Sequence, residues 1–375
     1  MAIRVLDWSQ NFSGKSVLVR ASLNVPIENG NVTNPFRFER ALHTIEALAV
    51  RGARVVVVGH IGRASTDSLE VVHRELQKRT TVPIHFVNDV VGAQAQEAVA
   101  RLSGGEVLLL ENVRRDAREI ENDDTFAARL ASFGELFVND AFADSHRAHA
   151  SIVGVPHYIE SVAGPRFMEE YNGILPALNP PSPSFAIMGG AKFLTKVPLI
   201  KTLLEKYDTV FIGGALANDF FSAKGHEVGV SLVSSVSHAE ALLKNSKLIT
   251  PSDVTVWDGE KKDIKKLSDI APRDAIYDIG PLSVKAITPY IQKARFILWN
   301  GPLGNFEKGF IDGTESVAKV IASASGKSVL GGGDTVASIE HLQLKEKITF
   351  ISTAGGAMLQ FIAEGTLPGI EVLSE

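Results

Sequence analysis

Short apolar runs recur along the chain, and almost every one ends in Gly, Asn, Asp or His. In the first half they are 16–23, 54–59, 83–87, 106–110 and 136–138. In the second half they are 184–188, 209–212, 253–256, 275–279, 296–298, 328–330 and 348–351. Apolarity within each run is continuous rather than alternating, which predicts strands buried on both faces. Helical spacing appears between them. The stretch 37–51 places Phe38, Leu42, Ile45 and Leu48 on one face and stops at Gly52. The stretches 196–207 and 313–323 read the same way. Strands alternating with helices predict parallel sheets built from β–α–β units, and the pattern occurs twice.

The break between the two halves falls at 164–183. Pro165, Pro176, Pro180, Pro181 and Pro183 interrupt a helix there and then prevent a strand. The expected fold is α/β: two Rossmann-like domains, each a parallel sheet flanked by helices, joined by a hinge helix. The chain has 375 residues, which suits two domains better than one core. A formal charge of -5 gives no global basic field of the kind nucleic-acid binders use. With 0 cysteines, disulfides, thiolate metal sites and cysteine nucleophiles are excluded. The start Met1-Ala2-Ile3-Arg4 does not read as a signal peptide, and no apolar run reaches the roughly 18 residues of a membrane span. A cytoplasmic location without membrane or nucleic-acid partners is expected.

Ligands of open parallel sheets bind beyond the carboxyl ends of the strands, and the two halves offer different chemistry there. The first half offers cations. Arg37, His60, Arg63, Arg114, His146 and Arg147 all follow predicted strands and would form a basic bowl. Arginine forks match carboxylate and phosphate oxygens in pairs, so a small acid carrying both groups is the expected occupant. The second half offers glycines: Gly189-Gly190-Ala191-Lys192, Gly213-Gly214, Asn300-Gly301-Pro302-Leu303-Gly304, Gly331-Gly332-Gly333-Asp334-Thr335 and Ala354-Gly355-Gly356. Glycine lets backbone approach a phosphate, and each following helix presents free N–H groups. With Lys192 and Lys196 these loops could hold a triphosphate. Asp334 is either a magnesium ligand shared with the phosphates or an ordinary helix cap. No Walker A, dinucleotide-binding or protein-kinase signature occurs.

The same residues carry a family resemblance. Ser22-Leu23-Asn24-Val25-Pro26, His60-Ile61-Gly62-Arg63, Glu111-Asn112-Val113-Arg114, Asn139-Asp140-Ala141-Phe142 and His146-Arg147-Ala148-His149 resemble motifs of phosphoglycerate kinases. So do Gly189-Gly190-Ala191-Lys192, Asp278-Ile279-Gly280-Pro281, Trp299-Asn300-Gly301-Pro302 and Gly331-Gly332-Gly333-Asp334-Thr335, in order and almost end to end. The resemblance implies reversible transfer of a phosphoryl group between 1,3-bisphosphoglycerate and ADP. It implies that Ser22, Asn24, Arg37, His60, Arg63, Arg114 and Arg147 bind phosphoglycerate. Nucleotide binding falls to Lys192, Lys196, Gly214, Asn300, Pro302, Glu307, Gly332, Gly333, Asp334 and Thr335. Arg37, Lys192 and Gly333 would serve the transfer itself, with Mg2+ held by Asp334 and the nucleotide. It further implies a monomer whose domains, 1–165 with about 359–375 returning and 166–358, close by hinge bending.

Four positions depart from the family pattern. Ser22 stands where the family has an aspartate beside the substrate hydroxyl, a loss of about 1–2 kcal/mol of charge-assisted bonding. Thr195 replaces the aspartate of the family's Lys-x-x-Asp-Lys run. Ala215 and Ala354 replace glycines, at about 1 kcal/mol each should those backbones need positive φ. The departures leave open a diverged kinase for a related small phosphorylated acid, or a non-catalytic nucleotide-binding protein of the same fold.

Overall fold

The computed structural model describes residues 2–33 and 36–375, the side chains of Phe36, Arg37, Val236 and Ser237 excepted. Two compact units divide the chain: residues up to Tyr171 together with Thr366–Glu375, and Asn172–Gly365.

In the first unit β1 (Ser16–Arg20) is buried along its whole length. It lies at the middle of a six-stranded parallel sheet with β2 (Arg54–Val58), β3 (Ile84–Val87), β4 (Val107–Leu110), β5 (Leu136–Asn139) and β6 (Ser161–Ala163), in the order β3-β4-β2-β1-β5-β6. Continuous apolarity has its explanation in the two faces. Val17, Val19, Val55 and Val57 pack on one side with Phe38, Leu42, Ile45 and Leu48 of helix α1 (Phe36–Val50). Leu18, Val56 and Val58 pack on the other with Phe126, Leu130 and Phe137. Two findings differ from the sequence expectation. The run 16–23 leaves the sheet after Arg20, and the short β6, too brief to show a run, closes one edge.

The helix α2 (Pro165–Ile174) begins at the proline expected to break it, since proline fits the first turn where no N–H is needed. It runs unbroken past residue 166, so the boundary between units falls inside it. The chain returns to the first unit at Thr366, later than the expected 359, because the helix at 356–364 packs within the second unit.

The second unit repeats the plan. β7 (Ser184–Met188), β8 (Thr209–Ile212), β9 (Leu248–Ile249), β13 (Phe296–Asn300), β14 (Lys327–Gly331) and β15 (Phe350–Ser352) form a parallel sheet in the order β9-β8-β7-β13-β14-β15. Two strands expected in it are elsewhere. β10 (Asp253–Trp257) and β12 (Ala275–Ile279) join β11 (Lys262–Lys266) in a separate antiparallel sheet, β11-β10-β12. The reason is the four-residue link from β10 to β11, which is long enough for a hairpin but not for a parallel crossover. β11 itself, Lys-Asp-Ile-Lys-Lys, is largely exposed and has no apolar run to reveal it. Lysines on an exposed edge strand also discourage pairing with other chains.

Helices α3 (Phe193–Lys206) and α4 (Leu216–Ala223) follow β7 and β8 in the chain, and Asp278 on β12 ties the antiparallel sheet to helix α5 (Asp312–Ser323). Its Oδ2 accepts from Gly313 N at 2.9 Å and its Oδ1 from Ile279 N at 2.8 Å. Burial pushes its carboxyl up to about 7, with Asp312 adding to the rise and the two backbone donors opposing it. The native state therefore favours the protonated form. Stability from this group is full below about pH 4 and is lost as pH rises through about 7, by about 4 kcal/mol in all. Urea unfolding of the wild type and Asp278→Asn at pH 5, 6, 7 and 8 checks this. The difference between the two proteins should narrow or reverse as pH rises, and a pH-independent difference would refute it.

Candidate functional site

The carboxyl ends of β2, β1 and β5 converge on a buried charge network. Arg20, the last residue of β1, is 1% exposed. Its Nε donates to Ser151 Oγ at 2.9 Å and its Nη1 to Ala21 O at 2.6 Å. Its Nη2 lies 3.1 Å from His60 Nδ1. An arginine has no acceptor, so His60 Nδ1 must accept and the proton of the neutral ring sits on Nε2. That Nε2 is buried and has no partner within the protein. Burial is the main cause that pushes His60 down to about 3; neighbouring arginines add to it and Asp144 opposes it. His60 thus presents a neutral N–H donor.

Asp144 sits beneath these groups. Its Oδ2 is 3.4 Å from Arg20 Nη1, and its Oδ1 is 3.6 Å from His60 Nδ1 and 3.8 Å from Arg147 Nη1. Burial would raise its carboxyl, but His60, Arg20, Arg147 and Arg114 around it together hold it below the usual range. Glu119, fully buried, accepts from Ser151 N at 2.8 Å and Ser151 Oγ at 2.6 Å, and so braces Arg20 from behind. Its carboxyl is raised by burial. Arg114 is half-buried and donates to Gly62 O at 2.8 Å. Burial and then Arg147 lower its affinity for its proton. His146 is also lowered by burial, and its Nδ1 is buried without a partner.

The remaining expected residues fall into two groups. Asn24 Oδ1 accepts from Gly62 N at 3.0 Å, and Asn112 holds Ile61 and Asp67, so these asparagines fix the loop that carries exposed Arg63. Ser22 is half-buried, just beyond the end of β1. The Arg37 side chain lies outside the described residues, although its backbone is in the first turn of α1. Sequence reading missed Arg20, Asp144 and Glu119. Arg20 was absorbed into the apolar run 16–23, yet a charged residue within such a run is itself a signal, because burial demands partners.

In the second unit the glycine loops surround a cleft of about 750 Å³, whose lining includes Lys192, Lys196, Asn300, Pro302, Asp334 and Thr335. The loops after β7 and β13 press together backbone to backbone. A Cβ on Gly301 (φ +91°) would lie 2.3 Å from Gly189 O, and one on Gly189 2.3 Å from Pro302 O. Lys192 precedes α3, and Lys196 in its first turn donates to Gly189 O at 2.6 Å. Burial pushes Lys196 down to about 8, while Asp334 raises it and Lys192 lowers it further. Asp334 is exposed in the first turn of helix α6 (Gly333–Ile339). Thr335 Oγ1 accepts from Gly301 N at 2.8 Å and donates to Gly331 O at 3.0 Å, so this hydroxyl braces two loops. Gly214 packs behind the cleft against Gly190, and Gly333 has open space where a Cβ would stand. Glu307 is exposed in the turn Phe306–Lys308, outside the cleft lining. Among the described residues no group of three or more His, Cys, Asp or Glu could hold a metal by protein ligands alone. The exposed carboxylate of Asp334 beside the glycine loops fits Mg2+ that arrives with the phosphates of a nucleotide.

A family model described as phosphoglycerate kinase matches residues 7–365. The chain belongs to the phosphoglycerate kinase family. The phosphoglycerate kinase of Moorella thermoacetica is 42% identical over 97% of this chain and 97% of its own. That of Rhizobium meliloti is 39% identical over 100% of both. The solved structure of phosphoglycerate kinase from Coxiella burnetii matches with a TM-score of 0.86 at 35% identity, covering 97% of each chain. The enzyme from Pyrococcus horikoshii OT3 matches at 0.87 and 32%, also covering 97% of each chain. Phosphoglycerate kinases are phosphotransferases with a carboxyl group as acceptor, and the expectation of two parallel α/β sheets for this member is met.

The departures from the phosphoglycerate kinase pattern now have structural settings. Ala215 has φ -63°, and Ala354 is not among the described residues with positive φ, so neither alanine carries the left-handed strain considered above. Gly214 and Gly355, their neighbours, take the positive φ instead. Thr195 Oγ1 donates to Lys192 O at 2.8 Å and so caps the residue before α3. No helix among the described residues is long and apolar enough to cross a membrane.

Proposed function

We propose that this protein transfers the γ-phosphoryl group of ATP, reversibly, to the carboxylate of 3-phosphoglycerate, giving ADP and 1,3-bisphosphoglycerate, in glycolysis and gluconeogenesis. The observation that carries the reading is the opposed chemistry of the two strand-end sites. One gathers arginines and a neutral histidine N–H. The other joins glycine loops to Lys192, Lys196 and Asp334 around one cleft. In the forward step the bond from the γ-phosphorus to the β,γ-bridging oxygen breaks and a bond to the carboxylate oxygen forms. No side chain need form a covalent intermediate; alignment and neutralised charge do the work.

In this reading Arg63, Arg114 and Arg147 bind the phosphate and carboxylate of the acid, His60 Nε2–H donates to it, and Asn24 shapes the loop beside it. By family resemblance Arg37 approaches the transferring group. Lys192 meets that group from the nucleotide side, Lys196 the nucleotide phosphates, and the loops of Gly214, Asn300, Pro302, Gly332 and Gly333 their backbone contacts. Glu307 would reach the ribose. Bound Mg2+, held by Asp334 and the phosphates, would neutralise charge on the leaving diphosphate. Transfer requires the two ligands to be brought together, the hinge bending that the resemblance implied, in a cytoplasmic monomer.

The reading is checked by steady-state assays with ATP, magnesium and a panel of small phosphorylated and hydroxy acids. A kcat/KM for 3-phosphoglycerate at least about tenfold above every other acid supports it. A better acid in the panel would replace it with a diverged kinase, and turnover of none with a binding protein.

A further inference from the structure

We propose that Asp144 is a positioning residue of the acceptor site, the carboxylate that holds Arg20 and Arg147 in register in place of one at position 22. The inference rests on the reading above, in which the basic bowl takes an anionic acid. A carboxylate among anion-binding groups should weaken the binding of an anion, so its presence needs a reason. Asp144 is 6% exposed, and its Oδ2 accepts no hydrogen bond. Its cationic neighbours, Arg20 and Arg147, stand at 3.4 and 3.8 Å, which is ion-pair rather than hydrogen-bond distance. It therefore acts through charge.

Without it, the guanidinium groups of Arg20, Arg114 and Arg147 would face one another with Glu119 as the remaining buried counter-charge. Glu119 is already committed to Ser151 on the far side of Arg20. Repulsion would then spread the bowl before any substrate arrived. Position 22 offers the alternative place for a charge. It follows β1, next to β5, whose following loop carries Asp144. There this chain has a hydroxyl, which carries no charge. One carboxylate at the ends of these neighbouring strands balances the bowl; two would compete with the substrate.

The test is a cycle of four proteins: wild type, Asp144→Asn, Ser22→Asp and the double variant. KM and kcat for 3-phosphoglycerate are measured, with thermal unfolding as a control. Each single variant should raise KM by about tenfold with kcat changed by less than about threefold, and the double variant should return to within about threefold of wild type. A residue needed only for folding would not be rescued by a charge moved to position 22. The proposal is overturned if Asp144→Asn leaves KM unchanged or lowers it, or if the two effects multiply. Should Asp144→Asn fail to fold, Asp144→Ser takes its place in the cycle. Should the wild type not turn over 3-phosphoglycerate, the functional reading fails separately. The same cycle is then read by calorimetric titration with inorganic pyrophosphate, where the same rescue upholds the positioning role and multiplicative losses refute it.

Discussion

Lys192→Ala protein is expected to lose about 10²–10³-fold in kcat while its melting temperature stays within about 2 °C of wild type. The loss of turnover is electrostatic in origin. Charge on the transferring group is at its most diffuse in the transition state, and a fixed cation there is worth about that factor. The unchanged melting temperature has a local cause. Lys192 is exposed, and its backbone is held from the chain itself, because Thr195 Oγ1 donates to its carbonyl oxygen. A second consequence has a definite sign. Lys192 helps to hold Lys196 down near 8, so removing it should raise that value. Wild-type affinity for nucleotide should weaken as pH passes about 8, and the variant should hold its remaining affinity to higher pH. Initial rates from pH 6.5 to 9.5, at varied nucleotide, measure both effects. A kcat within tenfold of wild type would remove Lys192 from the chemistry.

Gly301→Ala is expected to cost at least about 3 kcal/mol of stability, seen as a fall of about 6–12 °C in melting temperature. Two penalties add. At φ +91° an alanine pays about 1–2 kcal/mol for its left-handed backbone. Its methyl would also stand 2.3 Å from Gly189 O and 2.4 Å from Gly189 C, and these are backbone atoms that cannot rotate away. The two loops must part, and they carry Lys192 and Asn300 into the cleft, so nucleotide affinity should fall too. Gly333→Ala is the contrast. Open space surrounds that position and its φ is ordinary, so its stability should change by less than about 1 kcal/mol. Equal losses at the two positions would mean that the loops yield more readily than their packing indicates.

The parallel sheets were legible because their strands are apolar on both faces, and residues such as Val17, Leu18 and Val19 leave no ambiguity about burial. The antiparallel sheet was not, because one of its three strands is Lys262–Lys266, largely exposed and with a single isoleucine. The cations of the bowl could be read at strand ends, one by one. Their counter-charges could not. Glu119 reads in sequence as part of an acidic surface helix, and only the fold brings it under Ser151. Asp144 lies three residues from Arg147 and looks like its ordinary surface partner, yet it is buried among three strands' worth of polar ends. Charge pairing across long separations depends on tertiary packing, and no local period records it. The alanines at 215 and 354 erred in the other direction: a feared strain vanished once the adjacent glycines proved to carry the unusual torsion.

The segment Thr366–Glu375 belongs to the first unit. Gly369 N donates to Ser145 O at 2.9 Å, Arg4 Nη2 to Val372 O at 2.8 Å, and Ile3 pairs with Ser374. On the ribosome this imposes an order. Asn172–Gly365 is one continuous stretch and can finish folding as it emerges. The unit begun first must wait for the residues made after it, and Ser145, one step from Asp144, stays without that lid until then. Under the proposed function, a nascent chain should therefore acquire its nucleotide pocket before its acid-binding one, even though the acid-binding half is translated first.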